Sequence, residues 1–178
     1  MSDLFQWMPV KEFKKNKETE RSPEAYLEAL AQFDVEHNAR YRPWGNEPKF
    51  DTFCNIFVTD CLAALCVPPT HWVDSATGAN TTPFAKGALE QSANALIAWF
   101  EKWGMANGWK GVNAIFAKQN AADGKPTVVT WTNPNPGPCH VAMLLPNGNI
   151  AQAGRQNFFD QPISHGFGNL PVHCYTHD

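Results

Sequence analysis

The spacing of apolar residues changes character along the chain: helical up to about residue 125, and two-residue or continuous after Pro126. In SPEAYLEALAQFDVEH (22–37), Leu27, Leu30, Ala31 and Val35 form one stripe, and Ser22, Pro23 and Glu24 are helix-start residues in the right order. A second helix is expected from about Thr52 to Leu65, ending before Pro68-Pro69. Its apolar residues, Ile56, Phe57, Val58, Leu62 and Leu65, fall nearly all round, as in a helix at the centre of a domain. A third amphipathic helix runs through ALEQSANALIAWFEKWGMANG, with Leu89, Ala93, Leu96, Ile97 and Phe100 on one face and Gly104 or Gly108 closing it. A short helix through Phe116 and Ala117 follows. TVVTW (127–131), HVAMLL (140–145), NIAQAG (149–154) and the closing PVHCYTH read as strands, with a tight hairpin at Pro146–Gly148. Asn38–Asp51 and THWVDSATGANTTPFAKG read as loops. Helices first and an antiparallel meander second predict an α+β domain over residues 21–178, behind an N-terminal arm of residues 1–20.

Composition narrows this picture. The 178 residues suit one domain, and 43% hydrophobic residues with seven Trp and twelve Phe argue for a packed globule. A formal charge of −3 gives no electrostatic reason to expect a nucleic-acid partner, and the one basic cluster, Lys11–Lys17, reads as a solvated arm. No apolar stretch approaches the roughly 20 residues of a membrane span, and MSDLFQWMPVKEF makes a poor secretory signal. Synthesis and folding in a reducing cytoplasm, without a signal peptide, are therefore expected, as a monomer. Five cysteines are too few for a disulfide scaffold at this length. Cys61 and Cys66 on one helix would lie about 8 Å apart, beyond disulfide reach, and are read as core.

The remaining chemistry centres on Cys54. A cysteine at a helix N-terminus faces backbone N–H donors and the positive end of the helix dipole, both of which favour thiolate. It needs a base and an orienting partner for that base. His140, at a strand start after the loop NPNPGPC, is the best base; Gln152 or Asn149, on the next strand, could hold its second nitrogen. The competing reading makes Cys54 simply a buried packing residue. Zinc is disfavoured: Cys139-His140 and His173-Cys174 are adjacent strand residues pointing to opposite faces, and no C-x-x-C or H-E-x-x-H spacing occurs. No phosphate loop or G-x-S-x-G is present, so no cofactor or metal is expected.

The segments RYRP, TFCNIFVTDCLAAL, HWV, LEQSANALIAWF and PCHVAMLLPNGNIAQAG resemble bacterial and phage cell-wall hydrolases of the NlpC-type peptidase and CHAP amidase group. The likeness spans roughly Asn38 to Gly168. It implies a papain-like NlpC/CHAP-type fold in which a buried nucleophile helix packs on a small antiparallel sheet. It also implies Cys54 as nucleophile, His140 as base and Gln152 as the third group. Tyr41 is the counterpart by order of a tyrosine that lines the site in NlpC-type enzymes. Trp44, Asp51, Asn55 and Trp72 complete the expected substrate groove. The chain departs from the usual pattern in having Phe53 and Asn55 beside the cysteine, Cys139 before the histidine and Gln152 in third place. The expected activity is cleavage of a peptide or amide bond of peptidoglycan. The enzyme would be a phage endolysin released on lysis or an antibacterial effector delivered by a secretion system and matched by an immunity protein. The alternatives are a Cys–His deamidase or peptidase acting on a protein, and a non-catalytic wall-binding module.

Overall fold

The computed structural model describes residues 6–46 and 49–178. Ser22 caps the first helix, α1 (Pro23–Ala31), its hydroxyl accepting the Ala25 N–H at 3.1 Å. The buried stripe of α1 is Tyr26, Ala29 and Leu30, continued by Phe33 and Val35; Ala31, expected in the stripe, is exposed. The central helix, α2 (Cys54–Ala64), begins two residues later than expected and has only Asn55 and Ala63 outside its buried set. Helix α3 (Ala93–Trp99) is capped by Ser92, then widens into a π-turn (Phe100–Gly104) and a 3-10 turn that Gly108 ends in the left-handed conformation, φ +84°. Asn113 caps α4 (Ala114–Ala122), and α5 (Ile163–Phe167) is a single short turn.

Ten strands are present among the described residues. Two small hairpins pair β1 (Trp44–Asn46) with β2 (Lys49–Asp51) and β3 (Trp72–Asp74) with β4 (Ala88–Glu90), so both segments read as loops contain strands. The main sheet holds β5 (Trp109–Val112), β6 (Thr127–Trp131), β7 (His140–Leu144), β8 (Ile150–Gln152), β9 (Phe158–Gln161) and β10 (His173–His177). Its spatial order is β5-β10-β6-β7-β8-β9, antiparallel throughout. The expected meander therefore covers β6 to β9, while the last strand returns to the other side of β6. At the β7–β8 hairpin Leu145 and Asn149 still pair, and Gly148 takes φ +84°.

Residues alternate between two cores along this sheet. Val128, Val141, Met143, Ala151 and Ala153 pack with α1, α2 and α3; Val129, Ala142, Leu144, Ile150 and Cys174 pack with residues of α4 and α5. Helices thus cover both faces, which explains why TVVTW and HVAML are continuous apolar runs. The result is a mixed α+β domain. The N-terminal arm lies against it: the Asn16 N–H bonds the Ala64 carbonyl at 2.7 Å, and the Trp72 indole donates to the Trp7 carbonyl at 3.0 Å. The one charge inside α2, Asp60, is met by Arg40 (Nε at 2.7 Å, Nη2 at 3.1 Å) and by the Tyr41 hydroxyl at 2.8 Å.

Candidate active site

Cys54 is the first residue of α2, and its thiol is turned into the core, 3% exposed. The backbone N–H groups of Val141, Asn55 and Cys54 itself favour the thiolate, as the helix-end argument requires. Loss of solvation outweighs them and pushes the thiol up to about 11. The expectation of an acidic thiol is corrected accordingly: the donors are there, and burial against β7 overrides them. Cys61 is fully buried, as expected of a core residue. Cys66 is not core: it lies past the helix end at φ +58° and is exposed. All five cysteines are free thiols.

His140 opens β7 and Gln152 closes β8, twelve residues later, with 2.7 Å between His140 Nε2 and Gln152 Oε1. The amide of Gln152 is oriented by its own Nε2, which donates to the Gln156 carbonyl at 3.1 Å. Oε1 therefore faces the imidazole, so His140 Nε2 carries the proton and Nδ1 is left as the basic nitrogen. Burial lowers the pKa of His140 below its ordinary value, the Gln152 bond opposing that shift. Asn149, the other possible orienting residue, bonds Asp160 instead, at 2.7 Å.

Two glycines that sequence reasoning passed over close around this pair. A Cβ on Gly166 would lie 2.4 Å from Gln152 Oε1, and one on Gly154 would lie 2.9 Å from Gln152 Nε2 and 3.5 Å from His140 Cε1. The ring of Phe167 packs on the imidazole at 4.9 Å between centroids. The sequence signal for Gly154 was present in IAQAG, directly after Gln152; nothing in SHGF pointed to Gly166.

Cys54 and His140 thus approach the same end of β7 from opposite faces of the sheet: Cys54 packs with Cys139 and Val141 on the α2 side, whereas the His140 ring packs on Phe167 of α5. The sulfur faces the Val141 N–H, one residue step of about 3.8 Å from His140. No hydrogen bond joins thiol and imidazole directly among the described residues, and the shifts of both groups favour their neutral forms.

Two clefts flank the start of α2 and share Thr52 as a lining residue. One, of about 660 Å³, is bordered by His140, Gln152, Cys139, Arg155, Gln156 and His165. The other, of about 580 Å³, is bordered by Trp7, Pro43, Trp44, Asp51, Asn55 and Glu90. The β1–β2 register pairs Trp44 with Asp51, which brings these two expected groove residues to one wall. Asn55 shares that cleft and donates to the Gln91 carbonyl at 2.9 Å. Tyr41 lines neither cleft; it is fully buried, held by Asp60 and packed edge-on against Phe57 at 5.4 Å. Trp72 borders a third cleft, of about 670 Å³, with Phe13, Asp60 and His71. Arg155, Gln156 and His165 were not singled out from the sequence, because the segment after Gln152 carries no periodic signal.

No family model matches the chain, and no similar curated protein or solved structure was found.

Proposed function

We propose that the chain is a cysteine peptidase or amidase with a papain-like arrangement, hydrolysing a peptide or amide bond of peptidoglycan. One observation carries the catalytic part of this reading: the part-buried His140–Gln152 bond of 2.7 Å leaves Nδ1 as a base, on the strand whose next N–H faces the Cys54 sulfur. The cell-wall substrate rests on the resemblance of TFCNIFVTDCLAAL and PCHVAMLLPNGNIAQAG to wall hydrolases.

With thiol and imidazole both neutral at rest, attack runs by general-base catalysis and not from a standing ion pair. His140 Nδ1 takes the thiol proton as the sulfur bonds the scissile carbonyl carbon. The same proton passes to the departing amine as the C–N bond breaks, leaving a thioester on Cys54. Water, deprotonated by His140, hydrolyses it and restores the thiol. Gln152 holds the imidazole in the Nε2–H tautomer, and the Cys54 N–H supports the oxyanion. Because Cys54 is 3% exposed and the His140 ring packs on the α5 side of the sheet, the residues covering the sulfur and the His140 side chain shift before thiol, base and substrate carbonyl meet. Phage release or delivery by a secretion system would bring the enzyme to the wall, and an immunity protein would act by blocking the clefts.

The same burial favours a second reading, in which Cys54 is a core residue and the clefts only bind. Digestion of purified cell-wall sacculi, with released fragments identified by mass, separates the two. Soluble muropeptides should appear with the parent chain and be absent with folded Cys54→Ala and His140→Ala. A Cys54→Ala chain as active as its parent, or no fragment from any wall type, would sink the hydrolase reading.

A further inference from the structure

The α2 side of β7 begins with a thiol. Strand residues alternate, so Cys139, just ahead of β7, shares a face with Val141 and Met143 and points away from the His140 side. Cys54 packs in that same core, and its sulfur faces the Val141 N–H. One strand period, about 6.6 Å, separates Val141 from Cys139, and disulfide-bonded cysteines have Cα atoms about 4.4–6.8 Å apart. Burial is what chiefly pushes the Cys54 thiol up, and charge on Cys139 adds to it, which places the two sulfurs near each other. The loop ahead of β7 is pinned. Asn94 of α3 accepts the Cys139 N–H at 2.9 Å and donates to the Gly137 carbonyl at 3.1 Å, and the Asn133 N–H donates to the Cys139 sulfur at 3.4 Å.

The other cysteines lie elsewhere. Cys61 is seven residues along α2, about 10.5 Å up its axis. Cys66 is exposed past the helix end, and Cys174 packs in the core on the other face of the sheet. Cys139, 9% exposed, borders the polar cleft of His140 and Gln152, whereas Cys54 lines neither cleft beside Thr52.

We propose that Cys54 and Cys139 are a redox-active dithiol, which a hydroperoxide entering by the polar cleft closes to a disulfide. The Cys139 sulfur attacks the peroxide and the O–O bond breaks. Cys139 becomes a sulfenic acid, and its thiol proton leaves on the departing oxygen as alcohol or water. The Cys54 sulfur then attacks the sulfenic sulfur. The S–S bond forms as the S–O bond breaks, and the hydroxide leaves with the Cys54 proton as water. The two thiols lose two electrons in all, and one peroxide is reduced. A dithiol reductant reverses the closure. The bond ties the start of α2 to β7 and withdraws the sulfur that the hydrolase reading uses as nucleophile. Loss of activity on oxidation therefore rests on that reading; the cross-link itself does not.

The test exposes the reduced chain to a small excess of hydrogen peroxide near neutral pH, then denatures it in N-ethylmaleimide. Unreduced peptides are mapped by mass after digestion with chymotrypsin, which cuts at Phe57, between Cys54 and Cys61. The Cys54 and Cys139 peptides should appear joined, with the loss of two hydrogens, and Cys61 and Cys66 should carry the blocking group. Sacculus clearing by the oxidised parent should fall at least about tenfold and return with dithiothreitol, whereas clearing by Cys139→Ser should withstand the same treatment. Recovery of Cys54 and Cys139 unlinked, or of either joined to another cysteine, would overturn the inference whether or not the chain hydrolyses any wall. Equal loss of clearing in the parent and in Cys139→Ser would overturn it too. A Cys54–Cys139 cross-link in a chain that clears no wall would uphold the dithiol and sink the hydrolase reading alone.

Discussion

Replacing Gly166 by alanine separates stability from catalysis at the histidine. The new Cβ would lie 2.4 Å from Gln152 Oε1 and 2.9 Å from Ile150 Cδ1. Gly166 lies in α5 without a left-handed φ, so the backbone accepts alanine, with a helix-propensity gain of up to about 1 kcal/mol. The conflict is therefore steric. The Gln152 amide, at the end of a flexible side chain, is the easiest neighbour to move. Moving it breaks the 2.7 Å bond and leaves the part-buried Nε2–H of His140 without its acceptor. Overpacking and the lost bond each cost about 1–3 kcal/mol, and relaxation with the propensity gain should bring the net to about 1–2 kcal/mol. In a chain of this size that is a fall of roughly 2–8 °C in Tm. Activity should fall further, about 100-fold in kcat, because the ring loses the partner that fixes its tautomer. Gln152→Ala should lose a similar factor, and the double variant no more than either single one. Thermal melts by circular dichroism and initial rates of sacculus clearing read both quantities. Parental turnover in Gly166→Ala, or losses that multiply in the double variant, would refute the role given to Gln152.

Alkylation of the resting chain at pH 8 should modify exposed Cys66 well before Cys54, whose thiol, pushed up to about 11, is ionised in only about one molecule in a thousand. Peptide mapping that finds Cys54 labelled first would contradict the general-base mechanism. Arg40→Ala strips the buried Asp60 of its ion pair and should cost about 3–5 kcal/mol, or roughly 6–20 °C in Tm; a shift below about 2 °C would show the pair to be dispensable. Because burial lowers the pKa of His140, the acid limb of kcat/KM should fall below the ordinary histidine value of 6.5. For stability, the unfolded chain's histidine takes its proton first, so acidification through and below pH 6.5 favours unfolding, and the loss is recovered above it. His140→Ala should flatten that part of a Tm-against-pH curve; an unchanged curve would assign the effect elsewhere.

How far the sequence could be read followed from where each signal lies. Helix α2 was legible because almost every position in it is apolar, and α1 because Ser22, Pro23 and Glu24 mark its start locally. The His140–Gln152 pair was legible because a short hairpin brings residues twelve apart onto neighbouring strands. Strand β9 and helix α5 were missed: QNFFDQPISHGF has no period of its own, and its strand is defined by pairing with β8. Tyr41 was placed in the groove by order along the chain. Its depth is set instead by Asp60, a charge in the central helix that draws in both the Tyr41 hydroxyl and Arg40. The acidity expected of Cys54 failed for a related reason. Donors at a helix start can be counted locally, whereas desolvation depends on what the fold lays over the sulfur.

The nucleophile is tested most directly by intact mass spectrometry of the chain, acid-quenched during turnover of soluble peptidoglycan fragments. A covalent adduct with the mass of the acyl half of the substrate should appear and map to the peptide containing Cys54. It should accumulate when deacylation is slowed in Gln152→Ala and be absent in Cys54→Ala. An adduct on another residue, or continued hydrolysis by Cys54→Ala with no adduct, would contradict the assignment of Cys54 as the nucleophile.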